Sequence, residues 1–274
     1  MPAYITFMTD FGLRDDSVGC CHGVILGRAP AALLIDLTHD IPAFDVRRGA
    51  LTWRNVLPYM PMGVHIGVVD PGVGTARRAL ALLTARGDVL IGPDNGLLPE
   101  GAAALGGATK AVELTNPSYI LQPRSATFHG RDIFSPMAAA LTTGVALDTL
   151  GPAVPLENLV TLASTPPRWD GDVLHATVSY VDRFGNLRLD AGLEAVERWG
   201  VREGDLLSLT VGGAHIVVPF ALSFGSAAVG EAAVIVDAYR LLMVAVNQGD
   251  AAALYGATTE MSVVLRRAEA PKTR

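Results

Sequence analysis

Lysine is almost missing. Of the 21 basic residues in the 274-residue chain, only Lys110 and Lys272 are lysines, and the other nineteen are arginines. Chemistry that needs a Schiff-base or phosphate-loop lysine therefore has almost no candidates. Cysteine is equally scarce. Cys20 and Cys21 are adjacent, so they cannot staple distant parts of a fold, and alone they cannot supply a four-ligand zinc site. Such usage fits a reducing compartment. No charged leader and long apolar core open the chain, and no uninterrupted apolar run reaches the roughly 20 residues that span a bilayer. The expectation is a soluble, cytoplasmic protein without a membrane partner. Charge is also low, with 18% charged residues and a net of −6, which argues against nucleic acid as a partner.

What is abundant is apolar residues, at 50%. That is too many for a disordered chain and enough for one large domain or two modest ones. Over the first 150 residues, apolar runs alternate with helical spacing. Strands are expected at Tyr4 to Met8, Ala32 to Leu37, Gly63 to Val69, Ala79 to Leu83 and Asp88 to Ile91. Helices are expected from Asp15, Asp16 or Ser17 to about Gly27, from Asp45 to Leu57, and from Arg131 to Thr143. This alternation predicts an α/β domain with a largely parallel central sheet over residues 1–160. Proline-rich segments at 151–155 and 164–167 read as a connector. Beyond it, short β-type runs at Val173 to Val181, Leu206 to Val211, His215 to Phe220, Ala233 to Val236, Leu241 to Val246 and Met261 to Leu265 predict a smaller C-terminal β-barrel over 170–274. The charged tail from Arg266 to Arg274 is expected to fray.

Candidate chemistry gathers at predicted strand ends, where open α/β sheets bind ligands. Asp10 follows the first strand and Asp70 a later one, and a carboxylate there can hold a ribose diol; the competing reading of Asp10 is a turn former before Gly12. The Gly72 and Gly74 pair lacks the rest of any phosphate-loop pattern but lets backbone approach closely. Arg77 and Arg78 should point in opposite directions, one to the crevice and one to solvent. None of the six histidines has the spacing of a helical zinc site, so no metal is expected. The only compact His/Asp groupings are His39 with Asp40 and His129 with Asp132. Between two later strands, residues 182–186 read as a hairpin turn, or else as a recognition element with Phe184 a flat wall and Asn186 an amide able to pair with adenine.

Five segments occur in order: residues 8–17 (MTDFGLRDDS), 69–78 (VDPGVGTARR), 92–98 (GPDNGLL), 127–134 (TFHGRDIF) and 182–186 (DRFGN). Together the chain resembles the S-adenosyl-L-methionine hydroxide adenosyltransferases, relatives of the 5′-fluorinase and 5′-chlorinase. The resemblance implies hydrolysis of S-adenosyl-L-methionine to adenosine and methionine, without a cofactor, by a homotrimer whose sites lie between subunits. It implies Asp70, Arg77 and His129 as the catalytic set and Asp10 as the ribose ligand. Phe184, Asn186 and backbone at Val246 would bind adenine; Asp182, with Asp15 or Ser17, would lie near the methionine end. The halogenases have a tyrosine at the position of Asp70 and a serine at that of Gly130, and lack the histidine at 129. An anionic Asp70 would repel a halide, which favours water. A halogenase, a non-catalytic adenosine or S-adenosylmethionine binder, and a metal-dependent hydrolase built on the His/Asp groups are the competing readings. Two departures stand out: the family's serine and glutamate near the last strands are replaced by Ala238 and Met243, with Arg240 a candidate for replacing a lost contact, and the Thr-Asn that often follows the Phe-Gly-Asn motif is missing, since Leu187, Arg188, Leu189 and Asp190 follow.

Overall fold

The computed structural model describes residues 4–163 and 165–268; residues 269–274 of the charged tail lie outside them. The chain divides into two compact units at Ala163. Much of the expected connector belongs to the first unit: Val160 donates its backbone N–H to Asp94 at 3.0 Å, and the carbonyls of Asn158 and Ala163 accept from Arg78 and Arg47.

The first unit contains strands β1 (Tyr4–Thr9), β2 (Leu33–Thr38), β3 (Val64–Val68), β4 (Ala79–Thr84), β5 (Val89–Pro93), β6 (Ala108–Glu113) and β7 (Ala153–Val154), with helices α1 (Ser17–Arg28), α2 (Val46–Val56), α3 (Leu97–Ala103) and α4 (Ser135–Thr142). The sheet order is β2-β1-β3-β5-β4-β6-β7. Pairs β2–β1, β1–β3 and β3–β5 are parallel, and the remaining three are antiparallel. The expected parallel order thus holds where helices α1 and α2 carry the chain back across the sheet. It fails where a tight turn at Gly87, with φ +100°, joins β4 to β5, since such a turn forces a hairpin. Both faces of the sheet are covered. Ile5, Phe7, Ile66 and Ile91 pack with α1 and α4, while Met8, Leu80, Leu82 and Leu90 pack with α2 and α3. Double coverage explains why these strands read as near-continuous apolar runs. The helix over 46–56 starts at Asp45, whose side chain accepts from the backbone N–H of Arg48 at 2.8 Å.

The second unit is built from β8 (Arg168–Asp170), β9 (Val173–Val181), β10 (Leu187–Gly192), β11 (Leu206–Val211), β12 (Ala214–Pro219), β13 (Ala232–Val236), β14 (Leu241–Val246) and β15 (Ser262–Arg267), with short helices α5 (Leu193–Trp199) and α6 (Ala251–Tyr255). The antiparallel order is β12-β11-β15-β9-β10-β14-β13, with β8 on β9. A bridge between Phe220 and Val234 ties the two edges together, so the sheet nearly closes, as the barrel expectation required. Its interior is filled by Leu174, Val178, Leu189, Leu209, Val244 and Leu265. Among the described residues no helix is long and apolar enough to cross a membrane.

Gly67 in β3 shows how tightly the first unit is packed. A Cβ there would lie 2.4 Å from the fully buried ring of Trp53. Gly67→Ala should therefore destabilise the fold by about 1–3 kcal/mol through overpacking, read as a lower midpoint in denaturant unfolding with an unchanged slope.

Candidate active site

Strands β1 and β3 are parallel neighbours, with Thr9 opposite Val68. Asp10 and Asp70 therefore emerge just past the same end of adjacent strands, at the crevice where α/β sheets collect ligands. The stretch that follows Asp70 turns back on itself through backbone bonds from Val73 to Asp70 and from Thr75 to Gly72. Gly74 sits at φ +78°, and a Cβ there would lie 2.5 Å from the Ala126 carbonyl oxygen. The close approach this glycine permits is to the segment leading into His129. Asn95 secures the other side by donating from Nδ2 to the Val69 carbonyl at 2.8 Å.

Arg77 joins the pieces. Its Nε donates to Asp70 Oδ1 at 3.0 Å, and Nη2 donates both to Asp70 Oδ2 and, at 3.0 Å, to His129 Nδ1. The Asp70 and Arg77 side chains are nearly sealed from solvent, and His129 is buried. The bidentate pairing is the strong form of an arginine–carboxylate contact. A guanidinium cannot accept a hydrogen bond, so His129 Nδ1 is the acceptor and the neutral ring carries its proton on Nε2. Nη1 donates to the Arg78 carbonyl at 3.2 Å, which leaves Arg77 one further N–H. His129 stands at the start of a π-helical turn, Gly130–Phe134, that runs into α4. Such turns re-aim side chains at functional sites; the sequence pattern predicted an ordinary helix here. Arg77 also lies 5.6 Å over the Phe134 ring.

Arg78 differs from expectation. It does not simply face solvent: its Nε donates to Asp94 Oδ2 at 2.9 Å, and Asp94 is buried. The grouping of His129 with Asp132 also dissolves. Asp132 is fully buried and accepts from Ser125 N–H and Arg131. A cavity of about 230 Å³ opens against Arg77 and His129, lined also by Thr75, Glu113 and Arg124. Neither Asp10 nor Asp70 lines it.

Asp10 Oδ2 accepts from Phe44 N–H at 2.9 Å, which orients the carboxylate; Phe44 itself is exposed. Asp15 accepts from the backbone N–H of Ser17 at 3.1 Å, and that bond draws its carboxyl below the ordinary range. In the second unit Asp182 organises its own turn: Oδ1 accepts from Phe184 and Asn186 N–H, and Oδ2 from Asn186 Nδ2 at 2.9 Å. Asn186 is buried, with its amide oriented by that bond so that Oδ1 can accept from a further partner. Phe184 is 74% exposed. Leu187 pairs with Val244 across β10 and β14, so this turn and Val246 lie at one end of the same ladder. Of the arginines near the Ala238 and Met243 departures, Arg188 is the buried one. It pairs with Asp237, lies 5.5 Å over the Tyr180 ring and 4.7 Å over the Tyr239 ring, and sits opposite Met243 in the ladder. Arg240 is exposed. Sequence reasoning did not single out Arg188, because its burial depends on Asp237, Tyr180 and Tyr239, which lie outside its own strand.

The match to known proteins spans most of the chain. Residues 5–151 match the SAM hydroxide adenosyltransferase N-terminal domain, and residues 176–264 match the C-terminal domain of the same family. The chain is 48% identical over 258 residues to an (R)-S-adenosyl-L-methionine hydrolase of Salinispora arenicola, covering 93% of this chain and 94% of that protein. It is 38% identical over 279 residues to an (R)-S-adenosyl-L-methionine hydrolase of Thermus thermophilus, covering 96% and 99%. An uncharacterized conserved protein from Thermotoga maritima superposes with a TM-score of 0.90 at 32% identity, over 96% of this chain and all of that one.

His129 is held below its ordinary value of 6.5 by burial, reinforced by the Arg77 charge. The ring is thus neutral at pH 7. Because protonation is disfavoured in the folded state, this histidine contributes stability that is present above pH 6.5 and is lost as pH falls through the lowered folded value. In an NMR titration His129 should titrate below 6.5. Arg77→Gln should move it upward, since a positive neighbour is removed and Asp70 is released to face the ring.

Proposed function

The chain belongs to the SAM hydroxide adenosyltransferase family, and on that premise we propose that it hydrolyses S-adenosyl-L-methionine to adenosine and L-methionine. The observation that carries the mechanism is the buried carboxylate, guanidinium and imidazole joined through Arg77. Water attacks C5′ of the nucleoside. A lone pair on its oxygen forms the C5′–O bond, the C5′–S bond breaks, and its electron pair returns to sulfur as the neutral thioether of methionine. The leaving group needs no proton and no cofactor. The difficulty lies with the nucleophile, because free hydroxide at pH 7 costs about 12 kcal/mol.

Asp70 is the group that takes the proton. Both its oxygens accept from Arg77, yet each keeps a lone pair, whereas the basic nitrogen of His129 is already occupied. His129 Nε2–H donates to one lone pair of the water oxygen and orients it, which leaves the other lone pair free to attack C5′. Anionic Asp70 is also the wrong neighbour for a halide. A serine at Gly130, as in the halogenases, meets a further obstacle: a Cβ there would lie 3.0 Å from Phe11 Cζ, tight enough that the ring must shift. Both features favour hydrolysis over halogenation.

Asp10, with one oxygen held by Phe44 N–H, is proposed to accept from the ribose diol. Phe184, Asn186 and backbone at Val246 are proposed to bind adenine, and Asp182, with Asp15 or Ser17, the methionine end. We further propose a cytoplasmic homotrimer in which the N-terminal unit of one subunit and the C-terminal unit of the next share each site. The (R) sulfonium epimer is the proposed substrate, following the names of the relatives.

Chromatography should detect adenosine and methionine in equal amounts. Heavy-oxygen water should label the adenosine 5′-hydroxyl and leave methionine unlabelled. Asp70→Asn should lower kcat about 10²–10⁴-fold, and Asp10→Ala should act mainly by raising KM. Normal turnover in Asp70→Asn, or halide-dependent product, would remove the proposal. Light scattering at three times the chain mass is the expected result for the assembly, and (R) substrate should be consumed faster than its epimer.

A further inference from the structure

His22 on α1 is remote in sequence from Asp36 on β2 and His39 just after β2, yet the ligand atoms of all three lie within 4.8 Å of one another. His22 Nε2 is 2.9 Å from Asp36 Oδ1, and His39 Nε2 is 3.0 Å from the same oxygen. The grouping of His39 with Asp40 that the sequence offered is replaced by one with Asp36. A strand irregularity makes this possible. β2 pairs Asp36 with Phe7 and then Thr38 with Met8, so Leu37 is an extra residue that turns the strand end. Bulges of this kind re-aim side chains.

The two histidine contacts differ. His22 Nε2 has hydrogen-bond geometry to the carboxylate. His39 Nε2 is fully buried and has no hydrogen-bond partner, although Asp36 Oδ1 lies within ion-pair distance of it. A buried ring nitrogen without a partner is unfavourable. Thr9 Oγ1, 2.8 Å from His39 Nδ1, holds that ring in place. An outer hydrogen bond on the second nitrogen is the usual arrangement for a metal-bound imidazole. Phe7 packs against both rings, at 5.9 Å and 5.0 Å, and makes the inner wall apolar. Asp36 is 42% exposed, so the outer side is open to solvent.

We propose that His22, Asp36 and His39 bind one first-row divalent transition-metal ion, with zinc the foremost candidate and water completing its coordination. Two imidazoles and one carboxylate suit such an ion and disfavour magnesium or calcium, which prefer all-oxygen sites. The site shares no residue with Asp70, Arg77 and His129, and its role is structural. His39 is joined by its backbone carbonyl to Gly12 N–H at 2.8 Å, and Thr9 Oγ1 accepts from Phe11 N–H at 3.1 Å. An ion there links α1 and the end of β2 to the turn that carries Asp10.

Full-length protein stripped with chelator should take up one Zn²⁺ per chain by calorimetry, and Co²⁺ should give visible ligand-field bands. The unfolding temperature should rise with added Zn²⁺. His22→Gln and Asp36→Asn, both at partly exposed positions that leave the core intact, should each weaken Zn²⁺ binding at least tenfold and abolish the thermal shift. Cys20→Ser should leave both readings unchanged. The proposal is overturned by absence of stoichiometric binding, by binding that survives both substitutions, or by loss of binding in Cys20→Ser.

Discussion

A guanidinium has five N–H donors and no acceptor, and the candidate site depends on how Arg77 distributes them. Three of its hydrogens fix the Asp70 carboxylate and set the tautomer of His129. Two of the three groups are charged and one is neutral, and the arrangement is stable away from water only because each charge faces its partner at close range. The loop from Asp70 to Arg77, the glycine at 74 and the π-helical turn at 130–134 all serve that one contact. Lysine in place of Arg77 would offer three donors from a single point and could not satisfy the carboxylate and the imidazole in the same plane.

The same constraint divides the chemistry among the three residues. An imidazole whose Nδ1 is occupied by a cation is a donor through Nε2, and burial together with that cation keeps it uncharged. The carboxylate retains basic lone pairs beside a positive charge. In the proposed mechanism, water between them is oriented by the His129 donor and faces the Asp70 acceptor, and keeps one lone pair for C5′. In the proposed step the sulfonium and the Asp70 carboxylate are both neutralised as the proton leaves the attacking water, so a dry site assists it.

Much of the fold was legible in residue order. Strands β1, β3, β4 and β5 and helices α1 and α2 fall where apolar runs and caps put them, because burial on both faces leaves an unmistakable pattern. Less legible were α3, whose seven residues include a proline and a glycine, and β10, which carries buried Arg188 in its middle. Their identity depends on packing partners remote in sequence. The antiparallel half of the first sheet was also hidden, since strand direction follows from connection length and the run between β4 and β5 did not read as a hairpin. At the site, the five ordered motifs named the residues, and Asp10, Asp70 and Arg77 could be placed at strand ends from the pattern alone.

Composition and order by themselves determined the α/β then all-β organisation, the near-absence of lysine, the adjacency of the two cysteines, and the identity of the polar residues at strand ends. Those properties follow from burial and local geometry, which neighbouring residues control. Tertiary structure alone decided that Arg77 and Arg78 each find a separate carboxylate, that His129 meets Arg77 instead of Asp132, and that His22, Asp36 and His39 converge. Most of these are contacts between side chains on different elements, and their geometry exists only once the sheet has set the spacing.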